Sequence, residues 1–162
     1  EVSTLEVPRS VALGCELRAG DVLMTEGGDN DKLGRGTVWQ GQIEGCLHQN
    51  HIFAVRPDHA FLRPRYLALV TASSWGRAYF MATAHQTTNL AATNRAKVGR
   101  FPVPLPPLKE QDKILATVDE EMTQLDLIEN ELARQMALLR ERRQALITYA
   151  VTHGIEGLPG AA

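Results

Sequence analysis

Apolar positions along this chain follow two different rules. Up to about residue 108 they come in short bursts broken by Gly, Pro and Asp. Asp21-Val-Leu-Met-Thr25 predicts a short strand entered from a turn at Gly20, and residues 37–39 and 51–55 predict two more, the last ended by Arg56-Pro57-Asp58. Residues 66–70 and 75–82 have helical spacing, with Pro64 near a helix start and Gly76 loosening the middle of the second. A glycine-rich loop over residues 26–36 separates the first two strands, and a polar segment over residues 85–95 that offers little to a core follows the second helix. Short strands followed by short helices predict a mixed α+β body.

Beyond residue 108 the rule changes. A proline-stiffened apolar segment, residues 101–108, leads into residues 110–152, which contain neither Pro nor Gly and predict one helix stopped near Gly154. Leu115, Met122, Met136 and Ala150 share one seam position, and Val118, Leu125, Leu132, Leu139 and Leu146 share the other. The second set recurs every seven residues, which is the spacing of a coiled coil. At 1.5 Å per residue such a rod is about 60 Å long. Its apolar stripe needs a partner.

Charge indicates how that partner lies. Residues 110–131 hold eight carboxylates and one Lys, whereas residues 134–143 hold four Arg and one Glu. Parallel copies would set acid against acid, and antiparallel copies set acid against base, so an antiparallel pairing is expected. Charges at two seam positions, Glu129 and Arg143, fit a role in register. The expected division is residues 1–108 as a globular head, 109–153 as the helix and 154–162 as a flexible tail.

The formal charge of −2 conceals a segregation of sign, +3 over residues 1–109 against −4 along the rod. No Asp or Glu occurs from His59 to Lys109, a stretch that carries Arg63, Arg65, Arg77, Arg95, Lys97, Arg100 and Lys109. Bases without acids form a candidate polyanion footprint. Cys15 and Cys46 lie in no CxxC or Cys/His pattern and read as reduced structural thiols of a cytoplasmic protein. No segment has the length of a membrane span, and the first residues resemble no signal or transit peptide. A chain opening on Glu1 looks like a fragment.

Catalytic patterns are not found. His48, His51 and His59 lack accompanying Cys, the glycine loop lacks the GxxxxGK[ST] order, and Asp29 and Asp31 lack the Glu of a calcium loop. No GxSxG or HExxH is present, and Pro106-Pro107 lacks the Asn or Asp and the aromatic of an adenine-methylating site. No catalytic residue, metal site or cofactor is assigned to this chain. Binding chemistry is better represented. Gln86, Thr87, Thr88, Asn89, Thr93 and Asn94 can donate and accept at base edges, and they lie inside the acid-free stretch beside Arg95 and Lys97. Lys32, Arg35 and Arg77 complete the expected DNA-facing set.

Thr87-Thr-Asn-Leu-Ala-Ala-Thr-Asn94, residues 98–101 and Pro102-Val-Pro-Leu-Pro-Pro-Leu-Lys-Glu-Gln111 together resemble the end of a target-recognition domain. The family is the specificity subunit of type I restriction–modification systems. Leu139-Arg-Glu-Arg-Arg-Gln-Ala-Leu-Ile147 and Ala150-Val-Thr-His-Gly154 resemble the end of that family's coiled-coil helix, and Gly20-Asp-Val-Leu-Met-Thr25 resembles its Gly-Asp strand. Residues 49–56 resemble its later core strand. The resemblance implies a subunit without chemistry of its own that reads one half of a split site in double-stranded DNA. It implies a second recognition half held by antiparallel helices, as a homodimer or a heterodimer. Methylation subunits that bind S-adenosylmethionine and modify adenine at N6 would dock on the helices, and an ATP-driven restriction subunit would complete the complex.

Members of the family usually carry two such domains and an apolar, strand-rich segment before the Gly-Asp strand, so the head is expected to be N-terminally truncated. Two other readings stand beside this one. The chain could be a coiled-coil adaptor whose head does not read DNA, or the recognition fragment of a methyltransferase fusion.

Overall fold

A computed structural model of the chain describes residues 4–28, 33–49, 51–86 and 91–154, with the side chain of Gln86 left out. Two compact units divide it, residues 1–115 and 116–162. The fold is α+β with a long C-terminal helix.

The first unit is organised on strand β1 (Val22–Thr25), which alternates as the sequence predicts: Val22 and Met24 face the core. Antiparallel neighbours flank it, β3 (Gly36–Val38) on one side and β4 (Ile52–Val55) on the other. Helix α1 (Arg9–Cys15) precedes this sheet and is not foreseen by the sequence, since none of its residues is buried and it has no side-chain cap. A second small antiparallel sheet has the order β2 (Gly27–Gly28), β6 (Ala91–Ala92), β5 (His85–Gln86). Two-residue ladders are too short to show a period in sequence.

Helices α2 (Pro64–Ala72) and α3 (Ser74–Thr83) lie near their predicted bounds, with Pro64 at the start of α2 as expected. Tyr66, Leu67 and Val70 of α2 and Phe80 of α3 join Val22, Met24, Leu33 and Phe101 in the core. Tyr79, Phe80 and Phe101 pack ring against ring, with centroids 5.1–5.2 Å apart. Gly76 does not loosen a helix. It is buried where α3 crosses the end of α2, and a Cβ there would lie 2.4 Å from the Thr71 carbonyl oxygen.

The core draws on two further segments, and for residues 85–95 this corrects the expectation. The glycine-rich loop contributes to the core through Leu33, and Gly34 (φ +72°) lies so close to the Phe80 ring that a Cβ would sit 2.4 Å from it. The polar segment 85–95 is also partly interior, because Ala91 and Thr93 are buried. Small side chains at Ala91 and Gly27 let these strands approach closely; a Cβ on Gly27 would be 3.3 Å from the Ala91 carbonyl oxygen.

The Gly20-Asp21 turn is held by charge. Asp21, 1% exposed, accepts a two-pronged grip from Arg56, Nε to Oδ1 and Nη2 to Oδ2, both 2.7 Å, and a third bond from the Arg18 N–H. Burial alone would raise this carboxyl, but the Arg56 hydrogen bonds, the Arg18 N–H and the charges of both arginines outweigh it and hold the group below the usual carboxylate value. A depressed carboxyl stabilises the fold above its unfolded-chain value near 3.8, and that stability is lost as pH falls through the folded value. Asp21→Asn is therefore expected to destabilise the chain by about 2 kcal/mol at pH 7. Urea midpoints of the two chains should converge below about pH 4, and a gap that stays constant down to pH 3 would refute the assignment.

Residues 101–107, the proline-rich stretch, belong to no helix or strand and pair with no strand among the described residues. Helix α4 (Arg95–Gly99) precedes it, and α5 (Leu108–His153) follows, two residues earlier than predicted. The first turns of α5 belong to the head. Leu115, expected at the coil seam, packs with Ile114 against the core of the first unit.

In the second unit the seam residues Met122, Leu125, Leu132, Met136, Leu139 and Leu146 are all exposed, and Val118 is half-buried. The helix ends as predicted. Gly154 (φ +79°) donates its N–H to the Ala150 carbonyl. No helix among the described residues is long and apolar enough to cross a membrane.

Candidate nucleic-acid interface

Strand register brings Gly28, Gln86 and Ala91 side by side in the small sheet. Gly28 pairs with Ala91, and Ala91 pairs with Gln86. In sequence, Gly28 leads into residues 29–32 and Gln86 into residues 87–90. Lys32, Thr88 and Asn89, three of the expected DNA-facing residues, fall in those segments and lie outside the described residues, as does the side chain of Gln86.

The expected bases within the described residues are carried by elements packed around one aromatic cluster. Arg35 follows Gly34, whose backbone lies on Phe80. Arg77 is on α3, the helix of Tyr79 and Phe80, and Arg95 and Lys97 are on α4. The Tyr79 hydroxyl donates to the Lys97 carbonyl at 2.8 Å and so ties α3 to α4. Arg35, Arg77 and Arg95 are exposed, and Lys97 is half-buried. Such an array can hold a phosphate backbone, for which charge and reach matter more than exact direction.

Two expected readers are committed elsewhere. Asn94 caps α4, its Oδ1 accepting the Lys97 N–H at 3.0 Å. Thr93 is 4% exposed, with its N–H given to the Glu26 carbonyl and its hydroxyl without a partner among the described residues. Arg63 also leaves the footprint, because its guanidinium grips Asp112. In sequence it counts as one base of seven, since its partner lies beyond the acid-free stretch.

The histidines have ordinary neighbours. His51 lies 3.1 Å from a Glu26 carboxylate oxygen, and His48 lies 3.1 Å from the Gln49 carbonyl. Among the described residues no three His, Cys, Asp or Glu side chains are grouped to hold a metal. Sequence reasoning missed Gln111 and Asp21 as residues of structural consequence, although both stand within the Pro-Pro-Leu-Lys-Glu-Gln and Gly-Asp patterns.

A curated relative, described as a putative type I restriction enzyme MjaX specificity subunit from Methanocaldococcus jannaschii, is 22% identical over 136 residues. The alignment takes in 84% of this chain and 31% of that protein, so the chain spans about a third of the relative's length. The family model described as type I restriction modification DNA specificity domain matches residues 19–135, from the turn that Asp21 holds, through the aromatic cluster, and well into α5. With most of its length inside that match, the chain belongs to the type I restriction–modification DNA specificity domain family.

Proposed function

We propose that this chain is a non-catalytic recognition subunit, or part of one, that reads one half of a split site in double-stranded DNA. Residues 1–108 act as the reading head and residues 109–153 as the docking helix. Methylation of adenine at N6 falls to partner subunits that carry S-adenosylmethionine and dock along α5, and an ATP-driven restriction subunit completes the assembly. A second recognition half pairs antiparallel through the exposed seam, and the setting is cytoplasmic. The observation that carries the reading is the placing of exposed bases, Arg35, Arg77 and Arg95, on elements around one aromatic cluster in a chain whose family match covers residues 19–135.

On this reading Arg35, Arg77, Arg95 and Lys97 hold the DNA backbone, while Lys32, Gln86, Thr88 and Asn89 supply contacts from the two polar segments. Asn94 acts first as a helix cap, and buried Thr93 is left out. The test is a fluorescence-anisotropy titration of duplex DNA across salt concentrations. Arg95→Ala with Lys97→Ala should weaken binding and flatten the plot of log affinity against log salt by about 0.9 for each phosphate no longer neutralised. An unchanged slope would remove α4 from the interface. Absence of any salt-dependent binding would favour the adaptor, which the same exposed seam would serve.

A further inference from the structure

Helix α3 buries one face, and the face it turns to solvent is not an ordinary polar surface. Gly76 and Phe80 point into the head. At 3.6 residues per turn the opposite side carries Ser74, Ala78, Met81 and Ala82, with Trp75 on one flank and Arg77 on the other. All six are exposed. Met81 is 47% exposed and Trp75 55%, large apolar surfaces for one short helix. The Trp75 indole N–H donates to the Pro102 carbonyl at 3.0 Å, so the part of that ring left to solvent is carbon.

Charge decides what can cover this face. With no Asp or Glu from His59 to Lys109, neither α3 nor α4 carries an acid. The elements packed on the inner side of α3 bring bases. Gly34 lies against the Phe80 ring and leads to exposed Arg35, and the Tyr79 hydroxyl reaches the carbonyl of Lys97 on α4, which also carries exposed Arg95. An apolar face rimmed by bases alone fits a surface that is anionic at its edges and apolar within. The major groove of duplex DNA is such a surface at thymine: phosphates run along its walls, and the 5-methyl group is apolar. The minor groove presents no methyl group. Dimensions agree, since a helix about 10–12 Å across matches a groove about 12 Å wide. The ten residues of α3 span about 15 Å, the length of about four base pairs.

We propose that the outward face of α3 lies in the major groove of the half-site and that Met81 packs against a thymine methyl group. The proposal rests on the DNA-reading role proposed above. It adds a base contact made without a hydrogen bond, of a kind that Gln86, Thr88 and Asn89 do not supply. Arg77, at the edge of the face, holds a phosphate.

The experiment uses the full chain in complex with the methylation subunit of its own system. The half-site is read from a map of N6-methyladenine in host DNA, and it contains at least one thymine, opposite the methylated adenine. Each thymine is replaced in turn by deoxyuridine, which removes the methyl group alone, and affinity is followed by fluorescence anisotropy. At one position the wild-type complex should bind about fourfold more weakly, as expected for one methyl group lost from an apolar contact. Met81→Ala should bind the thymine and deoxyuridine duplexes alike, with an unchanged salt slope because no phosphate contact is lost. Met81 is exposed and alanine is the best helix former, so this variant keeps the fold. Met81→Leu, which retains apolar bulk, should keep the fourfold difference. Arg77→Ala should also keep it while flattening the salt slope by about 0.9.

Equal wild-type affinity for thymine and deoxyuridine at every position would overturn the proposal, as would a difference that survives Met81→Ala. An unchanged slope in Arg77→Ala would take α3 out of the groove. Loss of the methylation subunit from Met81→Ala, with DNA affinity intact, would give the face to a protein partner instead. A wild-type complex without salt-dependent DNA binding would overturn the DNA-reading role itself, and this inference would fall with it.

Discussion

Leu125→Glu together with Leu139→Glu will abolish helix pairing and the docking of partner subunits. Light scattering should return the mass of one chain, and a pull-down of the methylation subunit should be empty. Leu125 is 55% exposed and Leu139 60%, large apolar surfaces that the chain itself does not cover. Each leucine stabilises a paired seam by about 2 kcal/mol, and a carboxylate in its place adds a desolvation cost. In a symmetric pair the change occurs four times. Losing even 4 kcal/mol weakens association by about a thousandfold.

Glutamate is a good helix former, so circular dichroism should show α5 intact, which separates loss of pairing from loss of fold. Mass and pull-down unaffected by the double change would refute the seam assignment. The placing of Leu115 bears on this prediction. That residue packs on the head, so the paired seam is expected to run from about Val118 onward.

The second large effect lies in the head. Gly76→Ala should destabilise it by about 3 kcal/mol, read as a lower urea midpoint with an unchanged slope. Propensity alone predicts the opposite sign, because alanine in a helix is favoured over glycine by about 1 kcal/mol. The packing decides between them. A Cβ on Gly76 would stand 2.4 Å from the Thr71 carbonyl oxygen and 2.6 Å from that of Val70, and backbone atoms cannot move aside by changing rotamer.

The turn that creates this contact is itself tightly bonded. Ser73 donates its hydroxyl to the Val70 carbonyl at 2.7 Å and accepts the Gly76 N–H at 3.3 Å. Its backbone N–H also closes on the Leu69 and Val70 carbonyls. Relief of the clash would require opening the α2–α3 junction, which holds Tyr66, Val70 and Phe80 in the core. A Gly76→Ala chain as stable as wild type would show that the junction can yield.

What could be read in the sequence was whatever depends on near neighbours. The alternation of Val22 and Met24 gives β1 its buried face, the seven-residue recurrence from Leu125 to Leu146 gives the rod, and Gly154 gives its end, because each pattern repeats or stops within a few residues. Tertiary structure decided the pairings between residues far apart. Asp21 meets Arg56 across 35 positions, Arg63 meets Gln111 across 48, and β2 meets β6 through pairs too short to carry a period.

Composition counts Arg63 as a free base and Thr93 as a polar surface group. The fold gives Arg63 to Asp112 and buries Thr93. Gln111 shows the difference most clearly: within its own helix it is one polar residue among many, and only closure of the head against Phe61, Arg63 and Pro106 turns it into a pin. A polar side chain carries no periodic sign of burial, because what makes its burial tolerable is a set of hydrogen-bond partners that the chain brings together only when it folds.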